Sequence, residues 1–205
     1  MYPSLVNQNQ QILTIGDGDF SFSLSLIKNS NARNQNNKFV STSYESRETI
    51  LKIYFNSDNI LNDLEKEGAI VFHNIDAKNL QSHLQLKPFK RSFHIIIWNF
   101  PCVASPNGKD GQVQEINDNV ELLTSFFNSC KKLLIKNKEK GEYGEVRITH
   151  KTIEPFCWWN ILQIAENCGW YHIGSVIFDK CLYKGYNNRK ALDKKSFPCN
   201  DALVI

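Results

Sequence analysis

The 205-residue sequence predicts an α/β fold built on a parallel sheet. Apolar runs of strand length alternate along the chain with segments of helical periodicity. The first apolar run ends in Gly16-Asp17-Gly18, directly before a helix-compatible segment. Glycines at this position allow a tight strand-to-helix turn and a close approach of the backbone to a ligand.

The elements follow one another in regular order. The predicted strands cover residues 12–16, 38–43, 69–74, 93–98, 144–149, 170–178 and 201–205. The predicted helices cover residues 21–29, 46–55, 59–67, 77–84, 115–136 and 156–168. The polar run 29–37 is expected to be a lengthened surface loop. Because the sequence shows no repeat or composition break, we expect residues 1–205 to form one domain.

The composition narrows the class of protein. The hydrophobic fraction of 41% and charged fraction of 22% are ordinary globular values. A net charge of +3 permits an RNA partner without arguing for one. The six cysteines form no Cys-x-x-Cys pair or Cys/His cluster, so we expect neither a metal site nor disulfides. No signal-peptide pattern or membrane-length apolar run is visible, which favours a soluble intracellular protein.

The first strand end carries two aspartates, Asp17 and Asp19. The N–H groups of such a turn attract an anion, and flanking carboxylates would repel a pyrophosphate. A cationic ligand, such as the sulfonium and ammonium of S-adenosylmethionine, is compatible with them. An ordinary Gly/Asp turn is the alternative, because Gly-x-Gly is weakly specific and Ser21 replaces the third glycine of the fingerprint.

Acidic residues also follow the next two strands. Glu45 is placed to accept hydrogen bonds from ribose hydroxyls. It lies further along the chain from the glycine motif than is usual, and the polar run 29–37 accounts for the extra residues. Asp76, followed by Ala77, is placed to reach an adenine amino group. The alternative for Asp76 is a helix N-cap, and the sequence does not separate the two interpretations.

The fourth strand ends in Asn99-Phe100-Pro101-Cys102. This pattern resembles the Asn-Pro-Pro-aromatic turn of amino-methyltransferases, where the amide and a backbone carbonyl align the target nitrogen. Methyl transfer is a direct displacement that depends on such alignment. The proline stiffens the turn, and the aromatic ring could stack on a flipped base. A polar strand end followed by an ordinary loop is the alternative.

Near the end of the chain, tyrosines alternate with basic residues. Tyr183, Tyr186, Arg189 and Lys190 combine rings that stack on bases with cations that pair with phosphates. A solvated loop has the same composition, so these residues predict an RNA contact only in combination with other signals.

Together the motifs resemble the Rossmann-like family typified by the fungal 25S (large-subunit) rRNA uridine-N3 methyltransferase, also found in ferredoxin-fold anticodon-binding domain-containing proteins. Its Gly-(Asp/Glu)-Gly-Asp-Phe-Ser-Phe-Ser motif matches residues 16–23, and its Thr-Ser-Tyr-(Asp/Glu)-Ser motif matches 42–46. Further matches are Asn59, Ile60, Leu64, Gly68, Val71, His73, Ile75, Asp76, Ala77, Asn99, Phe100, Pro101, Gly185, Tyr186 and Arg189.

The resemblance implies a seven-stranded class I methyltransferase fold, mostly parallel, with helices on both faces. It implies methylation of N3 of a uridine in large-subunit rRNA, with S-adenosyl-L-methionine as cofactor. The implied cofactor-binding residues are Gly16, Asp17, Gly18, Asp19, Phe20, Ser21, Glu45, Asp76, Ala77 and Asn99. The implied catalytic residues are Asn99, Phe100, Pro101 and Cys102, and the implied RNA-binding residues are Tyr183, Tyr186, Arg189 and Lys190.

The implied partner is rRNA or a pre-ribosomal particle, met in the nucleolus or nucleus, with the cytoplasm as the alternative. A monomer without metal or membrane attachment is expected. The sequence departs from the family pattern at Cys102, where histidine is usual, at Lys184, where proline is usual, and at Asn188, where histidine is usual. The altered loop Asn99-Phe100-Pro101-Cys102 motivates a second hypothesis, a non-catalytic Rossmann-like RNA-binding or ribosome-assembly factor.

Overall fold

The computed structural model describes residues 6–103, 113–137, 139–190 and 195–205. The strands are β1 (Gln11–Ile15), β2 (Lys38–Thr42), β3 (Ile70–Phe72), β4 (Ile95–Asn99), β5 (Lys136–Asn137), β6 (Glu142–Tyr143), β7 (Glu145–Lys151), β8 (Val176–Ile177) and β9 (Ala202–Val204). The helices are α1 (Ser21–Ala32), α2 (Arg47–Ile53), α3 (Ser57–Lys66), α4 (Val113–Cys130) and α5 (Ile161–Asn167). Short 3₁₀ helices cover Ala77–Ser82, Leu84–Phe89, Phe156–Trp159 and Lys180–Leu182.

Seven strands form one sheet in the order β3-β2-β1-β4-β7-β9-β8, and β5 and β6 form a separate hairpin. The five strands from β3 to β7 are parallel, whereas β9 lies antiparallel to both β7 and β8. The central strands β1 and β4 are buried and rich in isoleucine, as expected for strands covered on both faces. The α/β prediction is confirmed.

Helices pack on both faces of this sheet and close two hydrophobic cores. One core gathers apolar side chains of α4 and α5 against Trp98, Ile96 and Ile148. The other gathers side chains of α1 and α3 against Ile95 and Ile97. Because side chains alternate along a strand, β4 feeds both cores and carries Asn99 on the same face as Ile95 and Ile97.

The predicted helix 115–136 is too long. Helix α4 ends at Cys130, and the chain then turns so that Leu133 and Leu134 are buried. The N–H of Phe93 donates to the Leu133 carbonyl at 3.1 Å, which ties this turn to the segment preceding β4. The apolar spacing continued past Cys130 because these leucines also face the core, so periodicity could not mark the helix end.

Three other predicted elements are interrupted. Segment 156–168 is divided at Asn160, whose φ of 49° separates a 3₁₀ turn from α5. Segment 77–84 forms the 3₁₀ helix Ala77–Ser82 and the start of a second one that contains Pro88. Of the predicted strand 170–178, only Val176–Ile177 forms a strand, β8, and both residues pair with β9. Helix α1 continues to Ala32, three residues beyond the predicted helix end at Asn29 and into the predicted loop 29–37.

The order of the strands defines where a ligand would bind. From β1 the chain runs to β2 on one side, and from β3 it returns to β4 on the other side of β1. In open α/β sheets the crevice at such a reversal, beyond the carboxyl ends of the strands, holds the ligand. Across the described residues, no helix is both long and apolar enough to cross a bilayer.

Candidate functional site

Residues 16–20 connect β1 to α1, and we call them the glycine loop. Gly16 has a φ of +59°, and a Cβ at this position would lie 2.9 Å from Nε1 of Trp98. A Cβ on Gly18 would lie 3.1 Å from the hydroxyl of Tyr54. Gly16 is therefore required by both backbone conformation and space, and Gly18 by the close approach of Tyr54.

The carboxylate of Asp17 is held inside the loop. Its Oδ2 accepts hydrogen bonds from the N–H of Ser23 at 2.7 Å and from the Ser23 hydroxyl at 2.6 Å. Thr14 Oγ1 lies 2.7 Å from the same hydroxyl. Burial, followed by the nearby charge of Asp19, raises the pKa of Asp17 to about 7.

Asp19 is 3% exposed and is held at the same helix terminus. Its Oδ1 accepts from the N–H of Ser21 at 3.0 Å and from the Ser21 hydroxyl at 2.5 Å. Arg189 Nε lies 3.9 Å from the other carboxylate oxygen. Burial raises the pKa of Asp19, although the Ser21 hydrogen bonds and Arg189 oppose the shift. Both carboxyl groups thus bond to the first turn of α1, although their burial disfavours the charged form.

Phe20 completes the loop with a φ of 61° and a side chain that is fully buried. Its ring meets His73 edge-on at 5.5 Å. A non-glycine residue in the left-handed region costs about 1–3 kcal/mol, which surrounding contacts must offset. The ring of Phe20 belongs to the core, so only its main chain can face a ligand.

The ends of β2 and β3 are tied together beside the loop. The carbonyl of Glu45 accepts from the Ser43 hydroxyl at 2.7 Å and from the N–H of Asn74 at 3.3 Å. Glu45 is half-buried, and burial raises the pKa of its carboxyl group. The Asp76 carboxylate accepts from the N–H of Lys78 at 2.9 Å and caps the following 3₁₀ helix, as the N-cap interpretation predicts. Ala77 is buried beside it.

The turn after β4 comprises residues 99–102, and we call it the asparagine turn. Asn99 lies opposite Thr149 of β7, whose hydroxyl donates to Asn99 Oδ1 at 2.5 Å. The N–H of Phe100 donates to the Thr149 carbonyl at 2.8 Å, and Phe100 has a φ of 51°. Pro101 is buried, and exposed Cys102 donates its thiol to the Val103 carbonyl at 2.9 Å.

The amide nitrogen of Asn99 is the feature that stands out in this turn. It is shielded from solvent and has no hydrogen-bond partner within the described part of the chain. The ring of Phe100 packs edge-on against Phe178 at 5.5 Å and Phe197 at 5.0 Å. This packing gives Phe100 protein partners where the sequence predicted stacking on a base.

Residues 183–190 cross the glycine loop, and we call them the strap. The N–H of Asn187 donates to the Ser21 hydroxyl at 2.8 Å. Tyr183 and Tyr186 pack against Phe22, with ring centroids 4.9 and 5.5 Å away. Tyr186 is only 9% exposed, so the expectation of an accessible stacking ring is wrong there: the strap buries it in the core.

The other strap residues divide between the loop and the surface. Arg189 lies beside the glycine loop, within an ion-pair distance of Asp19. Lys190 is exposed, and its carbonyl accepts a hydrogen bond from Tyr54 at 3.4 Å. A groove of about 240 Å³ runs between α1, α3 and the strap, with Lys28, Lys184 and Asp63 on its walls.

Two of the contacts at the site were not predicted from the sequence. Thr149 ends the predicted strand 144–149, and the strand-end rule that selected Asn99 would also have selected it. Asn187 lies in the strap, whose tyrosines and basic residues predicted an RNA contact. That pattern carries no signal for the hydrogen bond from Asn187 to Ser21. The described residues contain no group of His, Cys, Asp or Glu arranged to hold a metal ion.

This geometry agrees with a match between residues 13–190 and a family described as BMT5-like, rRNA (uridine-N3-)-methyltransferase BTM5-like. The match includes the glycine loop, the asparagine turn and the strap. The chain belongs to the BMT5-like family. Two Arabidopsis thaliana relatives extend the comparison. One, heavy metal-associated isoprenylated plant protein 41, is 34% identical over 90% of this chain, and the other, an uncharacterised protein, is 28% identical over 90%.

The BMT5-like chain spans about a third of the first relative (33%) and most of the second (83%). Among solved structures, a 30S ribosomal A1408 methyltransferase from an uncultured bacterium superimposes with a TM-score of 0.54 at 13% identity, covering 96% of this chain and 85% of that one. The CMeT domain of the citrinin polyketide synthase superimposes with a TM-score of 0.53 at 9% identity, covering 95% of this chain and 45% of that one. At these identities the comparison concerns the fold, and the class I methyltransferase fold is confirmed.

Proposed function

We propose that this BMT5-like protein is an S-adenosylmethionine-dependent RNA methyltransferase that modifies N3 of a uridine in large-subunit rRNA. The observation that carries the proposal is the family match over residues 13–190, which contains the glycine loop and the asparagine turn at adjacent strand ends. The fold, shared with a ribosomal RNA methyltransferase, agrees with it.

The residues at the switch point fit S-adenosylmethionine. A side chain at Gly16 would strike Trp98 and one at Gly18 would crowd Tyr54, so both positions favour glycine, the residue that lets a backbone approach a ligand closely. Asp17 and Asp19 place two carboxyl groups in the loop, and a sulfonium or ammonium group bound beside them would favour their charged form. Glu45 would hold the ribose, and Asp76 with Ala77 would border the adenine.

When bound, S-adenosylmethionine would supply the methyl group and leave as S-adenosylhomocysteine, while the proton of the uridine N3 passes to water. The chain's own contribution is to align the acceptor, since displacement at a methyl carbon depends on geometry more than on acid–base strength. Asn99 and Phe100 are suited to this role because the Thr149 hydrogen bonds fix both. Pro101 stiffens the same turn.

The RNA, the cellular location and the oligomeric state complete the proposal. Lys184 and Lys190 are exposed on the strap, where they would pair with phosphates, and the groove beside the strap carries Lys28. We propose rRNA or a pre-ribosomal particle as the partner, the nucleolus or nucleus as the location, and a monomer as the working form.

Calorimetric titration with S-adenosylmethionine and S-adenosylhomocysteine tests the cofactor half of the proposal. A folded sample that binds neither would overturn it and favour a non-catalytic RNA-binding or ribosome-assembly factor. The acceptor half is tested by mass mapping of rRNA from cells that lack the protein. We expect the loss of one 3-methyluridine, restored by incubating that rRNA with the purified protein and cofactor.

A further inference from the structure

The two ends of the Asn99 side-chain amide have different surroundings. Oδ1 accepts the hydroxyl hydrogen of Thr149 at 2.5 Å, and Thr149 is 1% exposed. Nδ2 is buried with no partner in the described parts of the chain. A buried amide donor without a partner costs about 1–3 kcal/mol, so such an atom calls for an explanation in function.

The orientation of the amide follows from the hydrogen-bond inventory. In the described residues, Asn99 Oδ1 is the acceptor for the Thr149 hydroxyl. The main-chain carbonyl of Thr149 already accepts a hydrogen bond from the N–H of Phe100. Turning the amide over would point Nδ2 at the hydroxyl oxygen. Both the hydroxyl hydrogen and Oδ1 would then lack partners, which replaces one unsatisfied group with two. Thr149 therefore holds Asn99 as a donor.

A fixed donor distinguishes one class of base from another. The N3 atom of uracil lies between two carbonyl oxygens, O2 and O4, and each accepts a hydrogen bond. The N3 atom of cytosine lies between O2 and an exocyclic amine, which donates. In adenine the exocyclic group is also an amine. Only the group on C4 differs between the two pyrimidines, so a lone N–H donor on that side of N3 matches O4 of uracil and opposes the amine of cytosine.

We propose that Thr149 is a positioning residue that determines specificity, a proposal that rests on the proposed function. Its hydroxyl occupies Asn99 Oδ1 and leaves Nδ2 to donate to O4 of the target base, the position at which cytosine carries an amine. The site then selects uracil and rejects cytosine and adenine. This reverses the analogy drawn from sequence, because the amide oxygen that would accept from an amine in an amino-methyltransferase is already bonded here.

The test compares Thr149→Val, which keeps the shape and removes the hydroxyl, with Thr149→Ser, which keeps the hydroxyl. Each protein is incubated with cofactor and unmodified rRNA, and transcripts carry uridine or cytidine at the methylated position. Digested nucleosides are assayed for 3-methyluridine and 3-methylcytidine. We expect Thr149→Val to lower the uridine-to-cytidine ratio by about tenfold, equivalent to one discriminating hydrogen bond, while Thr149→Ser stays within about twofold.

A second measurement does not depend on turnover. The side-chain amide protons of Asn99, assigned by their loss in Asn99→Ala, are followed by NMR in the presence of S-adenosylhomocysteine. We expect uridine 5′-monophosphate to shift them in the wild type and Thr149→Ser, and cytidine 5′-monophosphate to leave them unchanged. An unaltered ratio in an active Thr149→Val protein would overturn the assignment to Thr149. A folded wild type that binds no cofactor and methylates neither base would instead overturn the proposed function.

Discussion

The glycine loop and the asparagine turn lie at adjacent strand ends but satisfy their polar groups differently. In the loop, both aspartates accept hydrogen bonds from the first turn of α1, and the strap adds Arg189 and Asn187. In the turn, the Asn99 amide is bonded at its oxygen, and its nitrogen has no partner among the residues that the structure describes. The loop is complete before any ligand arrives, whereas the turn keeps a donor for one.

This difference suits the glycine loop to binding the cofactor tightly and the asparagine turn to discriminating between bases. A loop whose polar groups are internally bonded loses little conformational entropy when a ligand binds, which favours affinity. A buried donor without a partner penalises any ligand that cannot accept from it, which favours selectivity. The two regions should therefore respond differently to substitution.

The largest effect is expected in the loop. Gly18→Arg places a long side chain against the Tyr54 hydroxyl, so we expect binding of S-adenosylhomocysteine to weaken by at least about 1,000-fold, or roughly 4 kcal/mol. Gln81→Arg adds the same charge at an exposed position and serves as the matched control. Retained affinity in a folded Gly18→Arg protein would move the ligand away from the loop.

Asn99→Ala should separate the two regions. We expect methyl transfer to fall by about 100-fold while cofactor affinity changes by less than about threefold, because alignment of the acceptor is lost and the loop is intact. Calorimetry and single-turnover assays on one preparation measure both quantities, with exposed Asn128→Ala as control. An equal loss of affinity would assign Asn99 to cofactor binding instead.

Because Asp17 has a raised pKa in the glycine loop, the stability of the protein should depend on pH. A folded-state pKa of about 7 for Asp17 means that folding favours the neutral carboxyl group, so this residue reduces stability as the pH rises from about 4 to about 7. Asp17→Asn removes that titration and can still accept from Ser23. We expect the variant's free energy of unfolding to exceed the wild-type value by about 2 kcal/mol at pH 8, less than the full pKa difference because Asp17 is partly exposed.

Urea denaturation at pH 4, 6 and 8 measures this difference. The comparison uses the variant against the wild type at each pH, so that titration of His73 and His150 cancels, and the coupling of Asp17 to Asp19 is part of the measured difference. A stability difference that does not grow with pH would show that Asp17 is charged in the folded protein at neutral pH.

The smallest effect is expected at Cys102. Its side chain is exposed and donates to the adjacent Val103 carbonyl, and the turn is fixed by other residues. We expect Cys102→Ala to retain the methyl transfer rate within about twofold, whereas Cys102→His tests the residue usual in the family. A loss of 100-fold or more in Cys102→Ala would make the thiol part of the catalytic machinery.

Much of this arrangement could be predicted from sequence. The apolar runs and the strand-end rule located Gly16, Glu45, Asp76 and Asn99 at one edge of the sheet, because parallel strands bring their carboxyl ends together. What could not be predicted depends on contacts between distant segments. The bond from Thr149 to Asn99 requires the β4–β7 register, and burial of Tyr186 requires the packing of the strap on α1.

The strap also has a consequence for the order in which the protein matures. Ser21 receives its hydrogen bond from Asn187, 166 positions later, and Asp19 meets Arg189 at a similar distance along the chain. During synthesis the glycine loop therefore leaves the ribosome long before these partners are translated. We therefore expect a nascent chain to acquire tight cofactor binding only after residue 190 has left the ribosome.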